Sequence, residues 1–499
     1  MPDERMSKVD TAWLRMDNPG NLMQITGVWL LAPGVKYAAV CERIENTLVR
    51  YDRFRQCAVQ DATGASWVAD RHFDLARHVV REKLPASASA AGGQEQALQE
   101  RVAELASQPL DRARPLWQFH LIENYLSPEG VRGSAMILRI HHCIADGIAL
   151  LGVIMAMADG GAPPPVPGEP GAAASAPQNA QDVQAWMVGS VLAPLTQLAV
   201  RALDALGDGA ARSLGRLNQP GGGLGLERGV EAGVNGVKGS LDMARLLLQV
   251  AGDSAALALM PDDSPTRLKG KSCGRKQVAW CQPVPLAEVK AVGKALGCSL
   301  NDVLLSCLAG ALGGYLKSQG DDIAGQDIRA MVPVNLRQPE ASPTLGNHFG
   351  LAPLLLPIGI DNPVERVCEV RRRMAALKGS YQPLLAFGLL AVAGLCPKPA
   401  QDAMLDIFSR KTTAVMTNVP GPRDKLHFCG ATLEQTMFWV PQSGDVGLGV
   451  SILSYGGGVQ FGVITDSALC PEPQRIVDEF MPEFARLSMV TLMLPWDDA

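Results

Sequence analysis

Apolar positions along this chain follow two rhythms, one of period two and one near 3.6. Leu22 to Leu31 alternates imperfectly and predicts a first strand, and the apolar run Ser134 to Leu138 predicts a buried one. Val40, Ile44 and Leu48 recur at helical spacing, so Val40 to Arg50 reads as a helix. Leu98, Val102 and Leu105 mark another. Ile148 to Met157 is apolar enough all round for a buried helix. After Gly160 the rhythm stops: Gly160 to Gln178 is mostly Gly, Ala and Pro, the composition of a flexible linker. Val183 to Leu206 and Val237 to Met260 then show helical patterns rich in Ala, Leu and Val, the first interrupted by Pro194. Regular patterning resumes near Lys271. Lys276–Cys281, Ile328–Asn335, Thr413–Val419, Val446–Leu453 and Val459–Thr465 read as strands, and Pro285–Leu296 and Val303–Lys317 as helices. Strands alternating with helices in both halves predict an α/β protein, with one domain over 1–158, a linker over 159–270 and a second domain over 271–499.

Composition narrows the classes. The 499 residues allow two or three domains, and the net charge of −5 argues against a nucleic-acid binder. Eleven cysteines are scattered without a CxxC pair, which suits reduced thiols better than disulfides or zinc; no metal site is expected. Met1 to Arg5 is charged with no apolar core behind it, so no secretory signal is expected. No run reaches about 18 consecutive apolar residues, the length of a spanning helix. Gly270-Lys271-Ser272-Cys273-Gly274 matches GxSxG, but a nucleophile elbow needs a strand before it and a helix after; here a polar loop precedes and a strand follows. The Gly-rich stretch from Pro220 to Gly225 lacks the phosphate-loop pattern and reads as a loop.

The candidate chemistry sits at one strand-to-helix junction. Of seven histidines, two are adjacent, His141 and His142, followed by Cys143, Asp146 and Gly147. An imidazole is the usual side chain for moving a proton near neutral pH. Asp146 can cap the following helix or form an ion pair, and Gly147 permits a tight turn. Cys143 is a poor nucleophile candidate beside His142, because adjacent residues on an extended strand face opposite ways. Ser299 to Asp302 opens a helix as a cap, with Asn301 a second candidate as a donor to a developing oxyanion. Trp117 fits either core packing or a channel wall, and Asn418, before Pro-Gly-Pro, either a turn or a substrate contact.

His141-His142-x-x-x-Asp146-Gly147 resembles the active-site motif of the bacterial wax ester synthase/diacylglycerol acyltransferase family, within the CoA-dependent acyltransferase superfamily. Other blocks resemble that family in order: Ser7 to Leu14, Pro115-Leu116-Trp117, Asn301-Asp302, Gly346-Asn347 and Thr417 to Pro422. The resemblance implies two chloramphenicol-acetyltransferase-like α/β domains sharing a central cleft or tunnel, joined by a partly helical crossover. It implies His142 as general base, His141 and Gly147 as shaping the site and Asp146 as structural support. Pro115, Leu116, Trp117, Asn301, Asp302, Gly346 and Asn347 would then contact substrate. Related condensation enzymes carry an arginine-rich block that Arg50 to Gln56 resembles, which implies an Arg55–Asp146 ion pair. Acyl-CoA is then a substrate and no cofactor is needed. The acceptor is a long-chain alcohol or a diacylglycerol, in a cytoplasmic protein touching the inner membrane or lipid inclusions peripherally, through the helices within 183–260 if these do not simply pack on protein. A condensation-type N-acyltransferase would keep the motif but usually takes its substrate from a carrier domain. A plant-type enzyme would carry a DFGWG block, absent here, and a silent lipid-inclusion coat protein would not need His142 and Asp146.

Overall fold

The computed structural model describes residues 4–61, 64–85, 91–161, 260–336, 345–347, 349–378, 382–383, 386 and 398–493. The Gly/Ala/Pro linker, the Gly-rich loop and the helical patterns of Val183 to Leu206 and Val237 to Met260 fall almost wholly outside these residues.

The N-terminal half runs β1 (Glu4–Arg5), α1 (Lys8–Met16), β2 (Gln24–Ala32), α2 (Tyr37–Asn46), β3 (Gln56–Asp61), β4 (Gly64–Ala69), β5 (Val79–Glu82), α3 (Ala91–Ala106), β6 (Trp117–Leu126), β7 (Arg132–His141) and α4 (Gly147–Met157). The C-terminal half continues with β8 (Lys276–Trp280), β9 (Val284–Pro285), α5 (Leu286–Ala295), α6 (Leu300–Ser318), β10 (Ile328–Asn335), β11 (Phe349–Leu356) and α7 (Pro363–Lys378). It ends with α8 (Lys398–Arg410), β12 (Ala414–Pro420), β13 (His427–Phe428), β14 (Ala431–Trp439), β15 (Leu448–Tyr455), β16 (Gly458–Asp466) and α9 (Gln474–Leu492).

The strands form two large sheets and a small one. The first large sheet has the order β13-β14-β2-β7-β6-β5, the second β11-β10-β12-β15-β16-β8 with β9 on β16. Each has an apolar face covered by helices. Val40 and Ile44 of α2, Trp13 of α1 and Leu150 of α4 pack against Ile25, Trp29 and Leu138. In the other half α6 is buried along most of its length among Phe461, Phe480 and Leu356. A third cluster joins the halves: Val28 and Leu30 of β2 and Leu98 of α3 meet Val278 and Trp280 of β8, Trp439 of β14 and Ile464 of β16. Both faces of β2 are therefore buried, which is why its alternation is imperfect in the sequence.

The expected boundary at 271 is corrected in one respect. Strand β14 belongs by sequence to the C-terminal half, yet it pairs antiparallel with β2 from Thr432/Ala32 to Trp439/Thr26, inside the N-terminal sheet. The two halves are therefore interlocked by backbone hydrogen bonds as well as packed together. The first predicted helix also ends early. It stops at Asn46, where the Thr47 hydroxyl bonds back to the Arg43 carbonyl at 2.6 Å, and Leu48–Arg50 and Asp52–Phe54 follow as 3₁₀ turns.

Candidate active site

Strand β7 ends at His141, and its register with β2 pairs His141 with Gln24. His142 is the first residue past the ladder, held by its amide donating to the Met23 carbonyl at 2.7 Å. The two rings then diverge. His141 Nδ1 accepts from the Cys143 amide at 3.1 Å, which leaves its proton on Nε2, 3.9 Å from Asp17 Oδ2. His142 faces the other way, into a wall built from both halves. Its ring stacks on Trp13 at 4.3 Å between centroids and 21° between planes, with Phe349 at 5.4 Å. Burial pushes both imidazoles down to about 4, against a weaker upward pull from Asp17 on His141 and from Asp146 on His142. Both are neutral at physiological pH. Cys143 is buried and its thiol is pushed well up, so no thiolate competes with His142.

Asp146 and Gly147 start α4. Asp146 Oδ1 accepts from the Ala149 amide at 2.9 Å, an N-cap. The expected Arg55–Asp146 pair does not form. Arg55 closes the Asp52–Phe54 turn, and its side chain folds back onto Asp52 Oδ1 at 3.0 Å, 45% exposed. A residue on a surface turn three positions after an aspartate satisfies its charge locally without leaving solvent. Gly147 is a second correction: its φ is not positive, and an added Cβ would meet only Phe438 of β14, at 3.7 Å. The turn does not need a glycine there. Gly346 does need one, at φ +115°, and its carbonyl receives the Asp146 amide at 3.4 Å.

Several expected substrate contacts also serve as supports. Trp117 is buried with its Nε1 donating to the Phe54 carbonyl at 2.9 Å, stacked on His78 and edge-on to Phe54 and Phe119. The Leu116 carbonyl accepts the His141 amide at 2.9 Å, so Pro115-Leu116-Trp117 anchors the motif strand from β6 and exposes no tryptophan face. Asp302 completes a capping box with Ser299 at the start of α6. Asn347 is buried and its Nδ2 donates to Asp10 Oδ1 and to the His142 carbonyl, both at 2.7 Å. It holds the motif backbone.

Asn301 is different. Its Oδ1 accepts from Asn418 Nδ2 at 3.0 Å, which brings two of the sequence blocks together, and its own Nδ2 makes no hydrogen bond to the described residues. Beside it the second sheet opens. β10 and β12 pair only at Ala330/Ala414 and Met331/Val415, and Pro333 has no N–H to extend the ladder toward Asn418. Asp10 and Trp13, which stand in the sequence only as part of the Ser7 to Leu14 block, also belong to the site. Their signal was an acid on the apolar stripe Val9, Trp13, Leu14 of α1, where a solvated carboxylate has no place. One small cavity of about 10 Å³, room for a single water, lies between the halves near Gln24, Lys276 and Gln442; the motif does not line it.

Two interlocked α/β halves with a neutral, buried histidine at the junction define a CoA-dependent-acyltransferase type of architecture. Residues 6–304 match the family model of the wax ester synthase/diacylglycerol acyltransferase catalytic domain, and residues 345–488 match that of the WS/DGAT C-terminal domain. The chain belongs to the wax ester synthase/diacylglycerol acyltransferase family. A probable diacylglycerol O-acyltransferase of Mycobacterium tuberculosis is 26% identical over 436 residues, 86% of this chain and 83% of that protein. Another from that species, a putative diacylglycerol O-acyltransferase, is 29% identical over 418 residues, 82% and 81% of the two chains. In fold, the chain is similar to the wax ester synthase/diacylglycerol acyltransferase from Marinobacter aquaeolei VT8, with a TM-score of 0.64 at 21% identity, covering 98% of this chain and 99% of that one. The first condensation domain of the CDA synthetase is more distant, with a TM-score of 0.53 at 14% identity, covering 98% and 96%.

Proposed function

We propose that this enzyme transfers a fatty acyl group from acyl-CoA to the hydroxyl of a long-chain alcohol or a diacylglycerol, with His142 as general base. The family match across both halves carries the reading, and the neutral His142 at their junction supplies the chemistry. The acceptor hydroxyl gives its proton to the imidazole as its oxygen bonds to the thioester carbonyl carbon. Collapse of the tetrahedral intermediate breaks the C–S bond, and the imidazolium returns the proton to sulfur. A thiol with a pKa near ~8.5 is a good leaving group, so no acyl-enzyme is needed. Asn301 Nδ2 is the side-chain donor assigned to the oxyanion.

Contact with lipid is part of the same proposal. No described helix is by itself long and apolar enough to cross a membrane. Met489, Leu492 and Met493 are exposed at the end of α9, a surface suited to peripheral contact with a bilayer or inclusion. The deciding assay follows CoA release from palmitoyl-CoA with hexadecanol, a diacylglycerol or an alkylamine in parallel, with products identified. Ester formation that is lost in His142→Ala is expected; amide formation alone, or no transfer to any acceptor, would overturn the assignment.

A further inference from the structure

Asn347 makes two contacts whose combination has a chemical consequence. One amide nitrogen donates both to Asp10 Oδ1 and to the His142 carbonyl oxygen, each at 2.7 Å, and the Asn347 backbone amide reaches the same Asp10 oxygen at 3.2 Å. All three residues are buried: His142 is 2% exposed, Asn347 3% and Asp10 7%. With Nδ2 committed on one side of the amide plane, Oδ1 is fixed on the other. Asn347 Oδ1 is sealed from solvent without a hydrogen-bond partner, and so is His142 Nδ1. A buried acceptor and a buried ring nitrogen, on two residues joined through the His142 carbonyl, are each costly alone, and a proton on the nitrogen would let them satisfy one another. Against the dominant effect of burial, Asp146, the ring's own carbonyl and the Asn347 side chain, in that order, favour a proton on the ring.

We propose that Asn347, aimed by Asp10, is a positioning residue that holds the His142 proton on Nδ1 and so leaves the Nε2 lone pair for the acceptor hydroxyl. This rests on His142 being the base. An imidazole in the other tautomer would present an N–H to the hydroxyl and could take no proton from it. Trp13 stacks on the ring face and blocks rotation, so the tautomer is the remaining freedom and Asn347 removes it. The carboxylate of Asp10 does for the amide what the third member of a catalytic triad does for an imidazole, at one remove.

The test combines kinetics with a direct view of the tautomer. In protein carrying ¹⁵N-histidine, the His142 resonances are assigned by their loss in His142→Gln and show the protonated nitrogen. The native enzyme should show Nδ1–H. Asn347→Ala should show the Nε2–H form or a mixture, with kcat down ~10–100-fold, the scale of a lost outer support, and KM for acyl-CoA within about twofold. Asp10→Asn, which keeps shape while removing the charge, covers the case in which Asn347→Ala does not fold; it should shift the same resonances and lower kcat by less. Nε2–H in the native enzyme, or an unchanged tautomer and kcat in both variants, overturns the proposal. Wild-type turnover in His142→Gln would instead overturn the base assignment beneath it.

Discussion

The Trp13 indole lies almost flat against the His142 imidazole, 4.3 Å between ring centroids, although the two residues sit 129 positions apart in sequence. The opening helix of the chain is thus a wall of the site. Trp13→Ala removes a buried ring as well as its stacking on the histidine. A loss of ~3–5 kcal/mol in stability is expected, together with lower activity, while Trp13→Phe should keep most of both. Thermal melts and initial rates on the two variants check this. Equal activity in all three would show that the stack does not hold the ring.

His142 and His141 should separate cleanly by mutation. His142→Ala is expected to lower turnover ~10²–10⁴-fold, as for a lost general base. His141 points toward Asp17, so His141→Ala should cost less. The reverse ranking, measured as kcat with a common acceptor, would exchange their roles.

The pH dependence follows from burial. His142 is held near 4, so the free base persists well below the ordinary imidazole value of 6.5. The rate of transfer should stay level from pH 8 down to about 5, with no inflection near 6.5. Stability behaves differently. Both imidazoles bind a proton at 6.5 in the unfolded chain and near 4 in the folded one, so the unfolded state takes up protons first as pH falls. Their contribution is whole above about 6.5 and declines toward about 4. Denaturant melts across that window should show the decline, and His141→Gln should make it shallower.

Asp146 acts as a helix cap. Asp146→Ala should lower stability by at least the ~1 kcal/mol of the lost cap, and Asp146→Asn, an equally good N-cap, should recover that part in denaturant melts. Arg55→Ala should change stability by no more than about 0.5 kcal/mol, because its partner Asp52 is a surface residue. A coupling energy of several kcal/mol between Arg55 and Asp146 in a double-mutant cycle would contradict the structure.

A buried ion pair does exist, in the other half. Arg366 of α7 and Glu483 of α9 meet with side chains 4% and 6% exposed, and Arg366 also donates to the Ser306 carbonyl of α6 at 3.0 Å. Glu483→Ala leaves the guanidinium stranded and should cost ~3–5 kcal/mol in denaturant unfolding. A loss below about 1 kcal/mol would show that water reaches the site.

The sequence disclosed what depends on local chemistry. The strand-to-helix junction at His142, the cap at Ser299 and the strand Ile328–Asn335 lie where period and capping residues put them. Three things were out of reach, each because it depends on contacts between distant segments. Strand β14 alternates like any half-buried strand, and nothing local says that its partner is β2. Trp117 carries the same residue type whether it faces a channel or, as here, His78 and Phe54. Asn347 looks like a polar loop residue until Asp10 and the His142 carbonyl are both beside it. The Arg55 expectation failed for a related reason: the resemblance carried over a partner, but the turn at Asp52 supplied a nearer one.

The β14–β2 ladder limits how the enzyme can handle its cargo. A hinge that swung the halves apart would have to break a run of backbone hydrogen bonds from Thr432 to Trp439 and expose the Trp280–Trp439 contact. Cargo with two or three hydrocarbon tails cannot be admitted by opening the molecule like jaws. Lengthwise threading, with only side chains and loops yielding, is the expected route. Threading of this kind makes entry and exit slow relative to chemistry for the bulkiest acceptors, so a burst of the first turnover should grow as tails are added.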